Sequence, residues 1–375
     1  MRWRYLARAP GILADMLLRG SYEFTYDLMP FAATDMSWAK RLNLLRAGLN
    51  LLYRRGRPWS RPIHMQIELT NYCNLRCPVC PTGTDRLDRG RGAMDLDLLE
   101  RVVDEVGPYL LTAALWAWGE PLLHPRLADA LRIATGGPFS TLLSTNGQNL
   151  NNPAVLDALL EYPPTYLIVA IDGLTSETNS HYRVGGSLEP ALEGVRSLAA
   201  RKGCNGQAEP VLHMRYIVTR QNQHELPGVE EFARENGFDA LSIRTLSIID
   251  APETDHRDLV PDREVFQAYE YADGRRVARE DFVCQLAFCV PTVLVDGTVV
   301  ACDQDFNAQA AYGRLGAGVS FDDIWFSPEA RRVRHRIKKR PDSLSFCRNC
   351  PYADRRTNSC SVRWIDLRPE AATTS

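Results

Sequence analysis

At 375 residues, with 45% hydrophobic and 24% charged residues, the chain has the size of one large domain or two ordinary ones and a soluble globular composition. A net charge of −2 gives no reason to expect a nucleic-acid partner, no apolar run reaches the ~20 residues of a membrane span, and no secretory signal opens the chain. Ten cysteines without an export signal point to metal ligands in a reducing, cytoplasmic setting rather than to disulfides.

Charge is unevenly placed. Residues 1–62 carry 11 Arg and Lys against 4 Asp and Glu, a balance of +7, whereas the remainder carries 33 against 42, a balance of −9. This arm reads as mainly helical: Trp38, Leu42, Leu45, Leu49 and Leu52 recur at helical spacing, with Arg41, Arg46, Arg54, Arg55 and Arg57 around them. Its apolar stripe is expected to cover one end of the main domain, with peripheral contact to an anionic membrane as the alternative.

From residue 63 the pattern changes. Short apolar runs at 64–69, 112–118, 140–146, 165–172, 211–219 and 240–248 alternate with amphipathic stretches at 96–107, 126–135, 153–161, 188–201 and 225–236. Such alternation predicts an α/β fold, a parallel sheet with crossover helices in six units over residues 63–250, closed or partly closed into a TIM-type barrel. Function in such folds collects where strands end. Residues 251–280 read as a polar linker with one helix. Residues 281–365 follow as a cysteine-rich domain: "TVLVDGTVVA" (292–301) carries the Asp-Gly hairpin signal, and a helix is expected at 321–337. Residues 366–375 read as a disordered tail.

The first strand runs directly into "TNYCNLRCPVCPTG" (70–83), with Cys73, Cys77 and Cys80 at i, i+4 and i+7. Pro78 and Pro81 argue against a helix, so the thiols wrap a loop around one centre. Thiolates select zinc, copper(I) or iron–sulfur clusters. Zinc would need a fourth ligand, which pairing of Cys77 and Cys80 with Cys347 and Cys350 could provide; "CPVC" could also be a redox dithiol. A cubane held by three cysteines keeps one iron open.

This loop resembles that of the radical S-adenosylmethionine (SAM) superfamily, whose [4Fe-4S] cluster binds SAM at its unique iron, and later strand ends extend the resemblance. "WGEP" (118–121) is similar to the family's GGEP motif, with Trp118 in place of the first glycine and Gly119, Glu120 and Pro121 retained. "STNG" (144–147) supplies Ser144 and Asn146 at the next strand end. "AIDG" (170–173) keeps Asp172 but has Ala170 where relatives usually carry serine, so a ribose contact from that hydroxyl is missing. Arg183 in "HYRVGG" matches an arginine that relatives place near the cofactor carboxylate.

The tail resembles the SPASM/twitch extension, which carries auxiliary clusters. Cys284-x12-Gly297-x4-Cys302 fits its opening motif, and Cys347-x2-Cys350-x5-Arg356-x3-Cys360 follows its register but places Arg356 where a cysteine belongs. Six tail cysteines cannot ligate two clusters, so the resemblance implies one four-thiolate cluster on Cys284, Cys302, Cys347 and Cys350, with Cys289 and Cys360 in reserve or structural. Cys204 is incidental.

The resemblance further implies reductive cleavage of SAM, an electron donor such as flavodoxin or ferredoxin, and hydrogen abstraction from substrate by a 5′-deoxyadenosyl radical. Asp303, next to Cys302, stands where some oxidising relatives have a general base. Peptide-modifying relatives often begin with a strand-containing recognition domain of about 80 residues. A helical arm fits that poorly, so the expected substrate is a small polar metabolite (sugar, cyclitol or nucleoside type), oxidised or epimerised in natural-product biosynthesis. A ribosomally made peptide is the alternative. A non-catalytic iron–sulfur scaffold or redox sensor is the reading from another class.

Overall fold

The computed structural model describes residues 10–249, 256–272, 275–277, 279–348, 350–357 and 359–369. Most of the tail expected to be disordered, 370–375, lies outside them.

The arm is not helical throughout. After a helical stretch over residues 10–19, the chain forms a hairpin, β1 (Tyr22–Tyr26) and β2 (Met29–Ala33), before the helix Trp38–Tyr53. Tyr22, Phe24 and Tyr26 alternate onto one face, and Phe24 stacks on Phe31 at 5.3 Å. The hairpin was hidden because its turn residues, Asp27 and Leu28, lack the usual glycine or asparagine signal although both have positive φ, 52° and 68°. It packs on the inner side of the strands that follow: Phe31 meets Tyr166 at 5.0 Å, and Phe24 and Tyr26 meet His64 at 5.7 and 5.5 Å.

The helix 38–53 also turns an unexpected face inward. Lys40, Asn43, Leu44, Ala47 and Asn50 are buried, whereas Trp38, Leu42, Leu45, Leu49 and Leu52 are exposed. Polar side chains tolerate burial here because each has a partner: Lys40 Nζ donates to Pro138 O, Asn43 bonds both backbone groups of Arg61, and Asn50 Nδ2 donates to Ser60 Oγ at 2.6 Å.

Six parallel strands follow in chain order: β3 (His64–Ile67), β4 (Thr112–Ala114), β5 (Ser140–Thr145), β6 (Tyr166–Ala170), β7 (Val211–Val218) and β8 (Ala240–Thr245). Each connection carries helix. The helix Leu96–Val106 buries Leu96, Leu99, Val102, Val103 and Val106 on one stripe, and the Asp95 side chain caps it by accepting from Asp97 N and Leu98 N. β6 is buried throughout, as a strand covered on both faces should be.

In place of the helix expected in the linker, the described residues hold a 3₁₀ turn (Glu264–Phe266) and a two-residue ladder, β9 (Tyr271–Ala272) with β10 (Arg275–Arg276). The tail then rejoins the main sheet at both ends. β11 (Thr292–Val293) lies parallel to β3, continued by β12 (Thr298–Val300) and β13 (Gly313–Arg314); β14 (Ser361–Asp366) lies antiparallel to β8. The result is an open ten-stranded sheet, β13-β12-β11-β3-β4-β5-β6-β7-β8-β14, in which tail strands cover both edges of the parallel core and, among the described residues, no closed barrel forms. The single helix expected at 321–337 is two, Phe321–Trp325 and Pro328–Lys339, with Pro328 at the start of the second.

Candidate active site at the strand ends

The loop after β3 is fixed before it reaches its cysteines. Glu68, fully buried, pairs with Arg89 at 2.8 Å and accepts from Val295 N at 3.1 Å. Asn71 closes the loop on itself, donating to Gly90 O and accepting from Gly92 N. Cys77 is buried, and Cys73 and Cys80 are half-buried. Burial pushes the Cys73 thiol up to about 12 and raises that of Cys77, although the Arg183 guanidinium opposes the latter shift.

The motif residues at successive strand ends converge on this loop, mostly as struts. Glu120 is buried with both carboxylate oxygens engaged: Oε1 accepts from Leu122 N at 3.0 Å and Thr145 Oγ1 at 2.7 Å, and Oε2 from Asn146 N at 2.7 Å. Burial raises its pKa against these bonds. Gly119 must be glycine, because a Cβ there would lie 2.1 Å from Thr70 O. Pro121 opens the 3₁₀ turn that Glu120 caps. Asn146 Nδ2 reaches Cys73 Sγ at 3.5 Å and Asn74 Oδ1 at 2.8 Å. Asp172 is fully buried; Oδ2 holds Arg183 Nε at 2.5 Å and Oδ1 accepts from Ile217 N at 2.7 Å. Arg183 in turn points Nη1 at Cys77 Sγ, 3.7 Å away. Asp172 therefore orients Arg183 and has no oxygen left uncommitted.

Trp118, the departure from the glycine-first motif, links the two halves. Thr82 Oγ1, two residues after Cys80, donates to Trp118 O, and Trp118 Nε1 donates to Asp303 O at 2.7 Å. Tyr352 Oη donates to the Asp303 carboxylate at 3.1–3.2 Å, and burial raises that carboxyl above its usual range.

Behind Asp303 lies a cavity of about 260 Å³ into which Cys284, Cys302, Cys347 and Cys350 all face. Burial raises all four thiols, that of Cys350 to about 11. Among the described residues no three His, Cys, Asp or Glu side chains close on a single ion. A cubane asks for something else, thiols spread around a four-iron body, and a thiol-lined cavity fits that demand. Cys77 and Cys80 do not line it, so the zinc pairing with Cys347 and Cys350 finds no geometric support. Cys289 sits apart, packed with Met16, Met36 and Ile63 while its thiol donates to Gln285 O at 3.2 Å. Cys360 is buried beside Arg244, and Cys204 is exposed at a helix end.

Sequence reasoning missed the groups between the two thiol sets. Asp27, at the hairpin tip, pairs with Arg244 at 2.8 Å and accepts from Ser359 Oγ at 2.7 Å. Arg215 on β7 lies over the Trp116 ring at 5.6 Å and donates to Ser144 Oγ at 3.3 Å. Its Nε is buried without a partner among the described residues, and no carboxylate there pairs with it. Burial and the nearby Arg244 lower it to about 9. No motif marks these residues; only the fold brings them together.

Comparison with known proteins identifies two domains in the chain. The family profile of the radical SAM superfamily matches residues 67–233, and that of the SPASM iron–sulfur cluster-binding domain matches residues 284–351. Mycofactocin maturase MftC of Mycobacterium ulcerans is 26% identical over 320 residues, 80% of this chain and 83% of that protein. For three other curated relatives the chain spans about half of their length, 51%, 42% and 48%. Among solved structures, Streptococcus suis SuiB bound to S-adenosylmethionine superposes with a TM-score of 0.58 at 15% identity, covering 83% of this chain and 77% of that one. BtrN in complex with AdoMet and 2-DOIA superposes with a TM-score of 0.51 at 18% identity, covering 82% and 99%. Residues 67–233 form a radical SAM domain, whose cofactors are SAM and a [4Fe-4S] cluster, and residues 284–351 an iron–sulfur cluster-binding SPASM domain.

Proposed function

We propose that the chain is a maturase-type enzyme that activates SAM and modifies a peptide at an unactivated carbon. The observation that carries this is the chain of contacts Thr82–Trp118–Asp303, which ties the three-cysteine loop, through the Trp118 indole, to the backbone carbonyl of the residue that follows Cys302, one of the thiols lining the four-cysteine cavity. When bound, SAM and the reduced cluster supply a 5′-deoxyadenosyl radical. Cys73, Cys77 and Cys80 hold the first cluster, and Cys284, Cys302, Cys347 and Cys350 the second. Glu120 and Asn146 fix the loop, Gly119 lets the backbone approach, and Arg183, aimed by Asp172, places positive charge beside Cys77. Ser144 keeps its place at the β5 end beside Arg215. Asp303 takes the substrate proton on its carboxylate, with the Tyr352 hydroxyl holding it in place. Arg215, a buried guanidinium that no carboxylate among the described residues pairs with directly, receives a substrate carboxylate.

The peptide reading draws support from the match to a maturase over 80% of this chain. SuiB, a neighbour in fold, has been solved with its precursor peptide SuiA. The hairpin at 22–33 also weakens the argument that a helical arm without strands disfavours peptides. The small-metabolite reading stands second, since BtrN was solved with 2-DOIA. The test is anaerobic reconstitution, dithionite reduction and SAM addition, followed by mass spectrometry. Abortive 5′-deoxyadenosine lost in Cys77→Ala supports radical chemistry, and its absence from the wild type would leave only the scaffold or sensor reading. Coupling of that product to a peptide encoded beside the gene, rather than to a sugar or cyclitol, decides the substrate class.

A further inference from the structure

The helix 38–53 exposes the stripe that its sequence pattern assigns to a core. Trp38 is 68% exposed, Leu42 45%, Leu49 41% and Leu52 77%, with Leu45 and Tyr53 also outside. Ile12, Leu13 and Leu18 add to the exposed apolar surface of the arm. A water-soluble surface rarely leaves so many large side chains in one row without a use.

We propose that this face docks on an anionic lipid surface, with the helix lying flat in the headgroup region. Charge favours that occupant. The helix has no acidic residue; Lys40 is turned inward, but exposed Arg46 flanks the stripe, and exposed Arg55 and Arg57 follow its C-terminal end. Arg41 covers the Trp38 ring at 4.7 Å, leaving an aromatic edge and a cation at the end of the stripe. A second copy fits poorly, because two arms of +7 would be brought face to face. Sixteen residues span only ~24 Å and the apolar stripe is one-sided, so the helix lies on a bilayer rather than crossing it.

The placement is consistent with the site. The helix packs against Ile63 and Leu111, just before β3 and β4, and against Pro138, just before β5. That is the end of the sheet opposite the cysteine loop. Docked this way, the chain keeps its reactive face turned to water.

The test is flotation of the full-length, cluster-loaded chain with vesicles of phosphatidylglycerol and phosphatidylcholine, or of phosphatidylcholine alone. The wild type is expected to float with the anionic vesicles, less so at high salt, and weakly with the neutral ones. Leu45→Glu with Leu49→Glu should reduce anionic-vesicle binding at least about tenfold, and Arg46→Glu with Arg55→Glu should do so for anionic vesicles alone. These side chains are solvent-exposed, so melting temperature and abortive SAM cleavage should match the wild type. Absence of wild-type flotation at low salt, or equal flotation by both variants, would overturn the proposal. So would a change in oligomeric state, rather than in lipid binding, caused by the leucine substitutions, because the face would then be a protein interface.

Discussion

Asp172 is the carboxylate on which the placement of Arg183 depends. In Asp172→Asn the Ile217 N–H can keep its acceptor, but Arg183 Nε loses an anion at 2.5 Å and is left as a guanidinium only 14% exposed. Removing one partner of a buried ion pair costs about 3–5 kcal/mol, because the survivor stays desolvated and uncompensated. At about 1.4 kcal/mol per decade, the folding equilibrium of the cluster-free chain should fall by about two to three and a half orders of magnitude. Urea unfolding of the cluster-free wild type and variant measures this. The double variant Asp172→Leu, Arg183→Met removes both charges and should recover a large part of the loss, yet bind SAM no better than the single variant. A loss below about 1 kcal/mol for Asp172→Asn, or a double variant no more stable than the single one, would refute the strut role argued for this pair.

Gly119→Ala should cost about 1–3 kcal/mol or more and weaken SAM retention, because the new methyl meets the Thr70 backbone, which cannot swing aside; equilibrium dialysis of the loaded protein checks it. Cys302→Ser should halve the iron content, from about 8 to about 4 per chain, whereas Cys289→Ser should leave it unchanged; iron and sulfide assays decide. Burial lowers His64 to about 4, so the folded chain refuses a proton that the unfolded chain accepts near 6.5. Its contribution is therefore complete above pH 6.5 and lost as pH falls toward 4, at most about 3 kcal/mol. Comparison of urea midpoints of the cluster-free wild type and His64→Phe at pH 7.5 and 5 should show a shallower pH slope for the variant.

The strands and crossover helices were legible because apolar runs and 3.6-residue stripes alternate from residue 63 to 245: each of the six observed parallel strands falls within the expected one, whereas the helix Leu188–Cys204 runs three residues past its expected end and the short helix Ser176–Tyr182 was not expected. The cysteine loop was legible because a three-thiol pattern with two prolines has few other uses. What escaped has physical reasons. The hairpin at 22–33 turns on Asp27 and Leu28, whose left-handed backbone is unexpected without glycine and is held in part by the Asp27–Arg244 pair, 217 residues apart in sequence. The helix 38–53 reads as core-covering because its leucines outweigh Lys40, Asn43 and Asn50, yet those three have buried partners waiting and the leucines do not. β14 escaped because only three of the six residues in Ser361–Asp366 are apolar and they do not alternate strictly, in an edge strand whose partner is distant in sequence. Trp118 looked like a tolerated departure from a glycine; its indole N–H makes it the beam between main domain and tail.

The most direct measurement is electron paramagnetic resonance of the anaerobically loaded, reduced chain, titrated with SAM. A signal from the cluster on Cys73, Cys77 and Cys80 should change on SAM addition and vanish in Cys77→Ala, while the tail signal stays as it was. A loop signal indifferent to SAM, or no cubane signal that depends on Cys77, would contradict the account.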